Sequence, residues 1–291
     1  MSPDLDAESL RIALPKGRMQ AAVFALLDAA GLGVRTGARA YRPALAAGRF
    51  NAKILKPQNI VEMLAAGSRD VGFAGADWVE ELEADLVELL DTELDPVRLV
   101  AAAPTDLLVQ GRLPDRDLVV ATEYRRIACQ WITREGIRAR VVHSYGATEV
   151  FPPDDADVIV DNTATGATLA ANGLAIVDTL FTSSTRLYAS PAALDDPRRR
   201  AAIEGLVMLV ASVLDARSRV MLEVNVGPAE LEAVCALLPC MREPTIASLH
   251  DDAGYAVKAA VPRDALPTLV PRLKVAGGSD VVITPIAQIV P

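Results

Sequence analysis

The stretch Asp157-Val-Ile-Val-Asp161-Asn-Thr-Ala-Thr165-Gly-Ala-Thr168-Leu169 sets a carboxylate just ahead of a glycine turn flanked by two hydroxyls. Val158, Ile159 and Val160 are a β-branched run that suits a strand buried on both faces. Asp161 then stands at the strand's carboxyl end, where open α/β sheets place their ligands. Thr165, Gly166 and Thr168 precede the helix formers Leu169, Ala170 and Ala171, so N–H groups without intrahelical partners point back toward Asp161. Gly166 lets a backbone approach an oxyanion closely. Such a pairing suits a sugar phosphate: the amides take the phosphate, and the carboxylate takes vicinal hydroxyls or a magnesium ion. The plainer alternative is an ordinary capped helix after a solvated strand end. The stretch matches neither a Walker A loop nor a GxGxxG fingerprint.

The elements that must position this stretch are read from periodicity. Arg11 to Leu14 is a strand, and the loop Pro15-Lys16-Gly17-Arg18 brings two cations to its end. A helix follows with Met19, Val23, Leu26, Leu27 and Ala30 on one face and Gly31 as its stop. Phe50 to Leu55 is a strand ending in Lys56-Pro57, with Asn59 expected to cap the next helix. Asp70 to Asp77 reads as a short buried strand entering a glycine turn, its helix continuing through Val79, Leu82, Leu86 and Leu89. The glycines Gly72 and Gly75 serve either tight packing or the close passage of a ligand.

Further strands are expected over 97–103, 117–121 and 140–143, and a helix carries Tyr124, Ile127, Ala128, Trp131 and Ile132 on its core face. Another helix begins at Gly146 and contains Glu149. The alternation from Arg11 to about Leu187 predicts a parallel sheet or two such sheets. Two α/β lobes are expected, residues 1–95 with about 185–216 and residues 96–184. Lys16 and Arg18 would face the Asp161 to Thr168 stretch across the cleft between them. After a long amphipathic helix over 201–216, residues 217–291 run strand-helix-strand-strand-helix-strand, the ferredoxin-like (βαββαβ) order.

Composition narrows the partners. A formal charge of −9 over 291 residues argues against a nucleic-acid-binding face, so a polyanionic ligand must be met by local cations, amides or a metal. Two histidines leave little for a histidine-based nucleophilic triad. Three cysteines without a CxxC pair predict core thiols and neither a disulfide framework nor a zinc site. No apolar run reaches membrane-spanning length and the first residues lack a secretion signal, so a cytoplasmic location away from membranes is expected.

Taken together, the segments resemble ATP phosphoribosyltransferase in its long form. The resemblance rests on Glu149 with Ala156 through Leu174, on Ala13-Leu-Pro-Lys16-Gly17-Arg18, on Asp70 through Asp77, and on Leu237-Leu-Pro239, Pro244-Thr245-Ile246 and Lys274-Val-Ala-Gly277-Gly278. It covers nearly the whole chain. It implies a two-lobed, periplasmic-binding-protein-like catalytic core with a C-terminal regulatory domain. It also implies transfer of the phosphoribosyl group of phosphoribosyl pyrophosphate to N1 of the adenine of ATP, with magnesium as cofactor.

Under that resemblance Thr165, Gly166, Ala167 and Thr168 bind the 5-phosphate, Thr163, Ala164 and Leu169 are further substrate contacts, and Asp161 takes the ribose hydroxyls or the metal. Lys16 and Arg18 hold pyrophosphate or nucleotide phosphates, with Lys56 as a third cation and Gly75 and Asp77 as further substrate contacts. Asp157 and Glu149 either join the chemistry or buttress it. Histidine is implied as an inhibitor bound near Thr245 and Gly278, and the chain as a homo-oligomer of two to six copies. Two departures from the family's pattern stand out: Ala74 in the second turn, and Arg242-Glu243 before Pro244. The competing readings are a two-lobed small-molecule binder and a catalytically reduced regulatory paralogue.

Overall fold

In the computed structural model, which describes residues 9–37, 41–46 and 50–290, fourteen strands build two main sheets and a small hairpin. The strands are β1 (Leu10–Pro15), β2 (Val34–Arg35), β3 (Ala44–Leu45), β4 (Phe50–Leu55), β5 (Val71–Gly75), β6 (Val87–Pro104), β7 (Leu118–Thr122), β8 (Ala139–His143), β9 (Val158–Thr163) and β10 (Leu174–Ala189). They are followed by β11 (Arg219–Val226), β12 (Thr245–Ser248), β13 (Tyr255–Pro262) and β14 (Ser279–Pro285). The α-helices are α1 (Gln20–Ala29), α2 (Pro57–Ala65), α3 (Ala76–Glu81), α4 (Arg125–Glu135), α5 (Ala167–Ala171), α6 (Pro191–Asp195), α7 (Pro197–Arg217), α8 (Leu231–Cys235) and α9 (Leu266–Val275).

The larger sheet has the order β4-β1-β5-β10-β6-β9-β7-β8. Its flanks are parallel, β4-β1-β5 on one side and β9-β7-β8 on the other. Between them β6 and β10, of 18 and 16 residues, run antiparallel to each other and to their neighbours. Each is long enough to serve both flanks: β5 pairs with 185–189 of β10, whereas β9 pairs with 98–102 of β6. The two lobes expected from the sequence are therefore joined by a pair of shared strands, and the sheet is mixed rather than parallel throughout.

Three local expectations are corrected. The helix after Gly75 stops at Glu81, and Leu89 lies in β6, because Glu83 takes a left-handed conformation (φ 47°) and β10 offers Leu187 as partner to Leu90. Pairing overrides helical spacing there. The helix of residues 57–65 begins on Pro57, whose fixed φ suits the first helical position, so Lys56 occupies the cap position and Asn59 lies inside, bonded to Glu62. The helix expected from Gly146 is only a 3₁₀ turn, Thr148–Val150.

Fully buried Asp70 ties the first flank together. Its carboxylate accepts from the Arg11 guanidinium and backbone N–H on β1 and from Arg199 on α7, so the buried charge is paired on both sides.

Residues 219–285 form the second sheet, ordered β12-β13-β11-β14 with every neighbour antiparallel. Val220, Leu222, Val224 and Val226 alternate inward to meet Val234 of α8 and Leu269 and Leu273 of α9, so both helices cover one face. That is the ferredoxin-like arrangement read from the sequence, with α8 shorter than the expected span 228–238. Two compact units divide the chain, the boundary falling inside α7 between Gly205 and Leu206.

Candidate active site

The β-branched run of β9 is wholly buried, and the strand delivers Asp161 and Asn162 to its carboxyl end half-exposed. Asp161 and the turn that follows line a cavity of about 290 Å³, with Arg18, Val97 and Glu149 on its other sides. Thr163, Ala164, Thr165, Ala167, Thr168 and Leu169 all reach this cavity. Gly166 takes φ 82° at the start of α5, a left-handed conformation that explains why glycine stands there. Within the turn Gly166 N–H donates to Thr163 Oγ1 at 2.9 Å and Ala167 N–H to Thr165 Oγ1 at 3.3 Å. The N–H groups of Ala164, Thr165, Thr168 and Leu169 have no partner among the described residues and are open to an oxyanion.

Burial raises the Asp161 carboxyl to about 6, with the Glu149 and Glu123 charges adding to the rise and the Asn162 N–H, 2.7 Å from Oδ1, opposing it. A carboxylate that is costly to ionise alone gains from a bound hydroxyl or cation. Arg18 lies in the same cavity and donates to the Asp95 carbonyl at 3.0 Å, leaving the rest of its fork available.

Several expected residues sit elsewhere. Lys16 is exposed outside the cavity lining, donating to the Tyr41 hydroxyl at 3.0 Å with its ammonium 4.9 Å from the ring centre, and this contact lowers the Tyr41 phenol. Lys56 is exposed at the start of α2, its carbonyl accepting from Ile60 N–H. Asp157 stands at the opposite end of β9 from Asp161, ion-paired with Arg116 at 2.6 Å and accepting from Val119 N–H. Of the two parts expected for Asp157, these contacts suit the buttress, here between β7 and β9. Glu149, by contrast, faces the cavity.

Gly75 and Asp77 do not line the cavity either. The Asp77 side chain folds back so that a Cβ on Gly75 would lie 2.1 Å from its Oδ1, and Asp77 is only 4% exposed. Ala74 is fully buried within β5, opposite Arg186, so it offers no side-chain position to a ligand. Glu123 escaped the sequence reading, although it follows the carboxyl end of β7, where ligands gather; it acts on Asp161 and accepts from Gln58 at 3.3 Å.

In the C-terminal unit Thr245 lines a separate cavity of about 390 Å³ with Arg242, Glu243 and Lys258. Gly278 is not part of it. A Cβ there would lie 2.9 Å from both the Leu273 carbonyl and Val224, so packing accounts for that glycine.

A carboxylate and an amide-lined turn at the end of β9 share one cavity with the Arg18 guanidinium that follows β1, an arrangement with the chemistry to take a phosphorylated sugar. The HisG family profile (ATP phosphoribosyltransferase) matches residues 56–212, and the HisG C-terminal domain profile matches residues 216–288. An ATP phosphoribosyltransferase of Chlorobium phaeobacteroides is 36% identical over 277 residues, 94% of each chain. One of Pelotomaculum thermopropionicum is 34% identical over 97% of this chain and 99% of its own. Among solved structures, a chain of the ATP phosphoribosyl transferase (HisG:HisZ) complex from Thermotoga maritima superposes with a TM-score of 0.61 at 25% identity. That match covers 69% of this chain and 98% of the other. The chain belongs to the ATP phosphoribosyltransferase family in its long form, the pentosyltransferases of the first step of histidine biosynthesis.

Proposed function

We infer that this chain joins N1 of the adenine of ATP to C1 of the ribose of phosphoribosyl pyrophosphate and releases pyrophosphate. The adenine N1 lone pair forms the new bond to C1 as the bond from C1 to the pyrophosphate oxygen breaks. The observation that carries the reading is the shared cavity of Asp161, Arg18 and the Thr165 to Thr168 turn. In this assignment the free amides and hydroxyls of the turn hold the 5-phosphate, and Asp161 orients the ribose hydroxyls. Arg18 faces the departing pyrophosphate, with Lys16 and Lys56 as further phosphate-binding cations. Fixed donors aimed at developing negative charge lower the barrier without reorganising during the step. Holding both substrates in one geometry removes most of the remaining entropic cost.

Family members generally work with a divalent metal, and magnesium is the proposed ion. The described residues include no group of three or more His, Cys, Asp or Glu side chains fit to hold a metal. Asp161 and Glu149, in one cavity, fit an ion bound through one or two carboxylates and completed by substrate phosphates. Such an ion would neutralise charge on the pyrophosphate.

Two lobes, 1–95 with about 185–216 and 96–184, meeting along β6 and β10, belong to the same reading. So does histidine as inhibitor. Thr245, with the opposite charges of Arg242, Glu243 and Lys258 around one cavity, supports a zwitterionic ligand there. A homo-oligomer is proposed as well, supported by exposed Ile246 on the edge strand β12 and exposed Val282 and Ile283 on β14. No helix among the described residues is long and apolar enough to cross a membrane, which accords with the proposed cytoplasmic location.

The test is release of pyrophosphate by the purified chain. Release that requires both ATP and phosphoribosyl pyrophosphate supports the reading. Retention of a ligand with no turnover favours the two-lobed binder instead.

A further inference from the structure

One buried polar network in the first unit is left unused by the reaction as assigned. Tyr124 is 1% exposed, stacked on Trp78 with ring centres 4.5 Å apart. Its hydroxyl donates to Asp77 Oδ2 at 2.6 Å and accepts from Asn162 Nδ2 at 2.9 Å. The other oxygen of Asp77 accepts from Ser183 Oγ at 2.7 Å, and Ser183 Oγ in turn accepts from the Asp77 backbone N–H. Asp77 has no cationic partner among the described ion pairs, so neutral donors alone satisfy this buried carboxylate.

Such an arrangement is costly to bury and is kept where it fixes geometry. The geometry at stake is visible. Asp77 and Trp78 belong to α3, which follows β5 on one flank of the sheet, and Ser183 lies on the shared strand β10. Tyr124 precedes α4, and Asn162 is on β9, both on the other flank. Asn162 is also the residue whose N–H holds Asp161 Oδ1 at 2.7 Å. The tyrosine hydroxyl thus joins the two flanks next to the substrate carboxylate, alongside the Gln58–Glu123 bond. A second tie at the same end of β7 reinforces it. Thr122 Oγ1 donates to the Val160 carbonyl at 2.6 Å and accepts from Tyr124 N–H at 2.8 Å, fixing Tyr124 to the strand that carries Asp161.

We propose that Tyr124 and Asp77 are a positioning pair: through Asn162 they set where the Asp161 carboxylate of one flank stands relative to Arg18 of the other. Neither side chain touches substrate in this scheme. The proposal rests on the assignment of Asp161 to the ribose of phosphoribosyl pyrophosphate. It accounts for glycine at position 75, where a Cβ would lie 2.1 Å from Asp77 Oδ1 and displace that carboxylate. It also explains why an aromatic core residue carries a hydroxyl.

The test is steady-state kinetics of the full chain with Tyr124→Phe, which keeps the ring on Trp78 and removes the bridging oxygen. A displacement of about 1 Å costs on the order of 100-fold in rate. Tyr124→Phe is accordingly expected to lower kcat by about 10- to 100-fold, with KM for both substrates within about twofold. Asp77→Asn, which keeps one acceptor, should fall between the two, and the double variant should be no worse than Tyr124→Phe alone. Wild-type kcat in a folded Tyr124→Phe chain would overturn the proposal. So would a loss confined to KM for ATP, because it would make Tyr124 a substrate contact. If Tyr124→Phe fails to fold, Asp77→Asn carries the same readout, and an unaltered kcat there overturns the pair. Absence of turnover in the wild type would instead reject the assigned reaction, so the two failures are separable.

Discussion

At the scale of residues, Asp161 carries most of the weight. Its carboxyl rises from 3.8 to about 6 because it is buried near Glu149 and Glu123. Between pH 3.8 and about 6 the folded protein binds the proton that the unfolded chain has already lost, so stability falls as pH rises through this window. Asp161→Asn removes that dependence. Its melting temperature is expected to match the wild type near pH 4 and exceed it above pH 7, as scanning calorimetry of the ligand-free protein would show. An equal difference at both pH values would mean that Asp161 is not held protonated by its surroundings. The sequence made Asp161, Arg18 and the threonines legible, because strand-end placement needs only the apolar run and the glycine. Glu123 and the Asp77–Tyr124 bond were not legible, since they depend on which strand ends meet in space.

At the scale of elements, the turn between β9 and α5 works through backbone conformation. Gly166 sits at φ 82°, where a side chain costs about 1–2 kcal/mol. Gly166→Ala is predicted to lose roughly that much stability in urea unfolding and to raise KM for phosphoribosyl pyrophosphate more than KM for ATP. Equal effects on the two KM values would detach the turn from the 5-phosphate. Short parallel strands such as β1, β4 and β7 were readable within a residue or two because their apolar runs end at glycine, proline or charge. The long strands β6 and β10 were not. Their exposed stretches carry Glu88, Asp91 and Glu93 or Thr182, Ser184 and Arg186, which read as loop or helix, yet Arg186 bridges Glu88 and Asp91 across the two strands. Cross-strand pairing between segments about ninety residues apart leaves no local trace.

At the scale of the whole molecule, a catalytic unit is followed by a βαββαβ unit whose 390 Å³ cavity carries both signs of charge. If histidine binds there, Arg242→Ala is predicted to weaken inhibition about tenfold or more while kcat without histidine stays unchanged. Inhibition identical to wild type would move the effector elsewhere. The ferredoxin-like order was legible because its strands alternate cleanly and its turns are marked by Pro244 and Gly277-Gly278. The central claim remains local: Asp161 and the turn after it hold the pentose phosphate. The most direct measurement is pyrophosphate release by the full-length Asp161→Ala variant, beside a circular dichroism spectrum that matches wild type. Turnover lowered by on the order of 1,000-fold is expected for removal of a group aimed at the reacting sugar. Turnover within tenfold of the wild type would contradict the account.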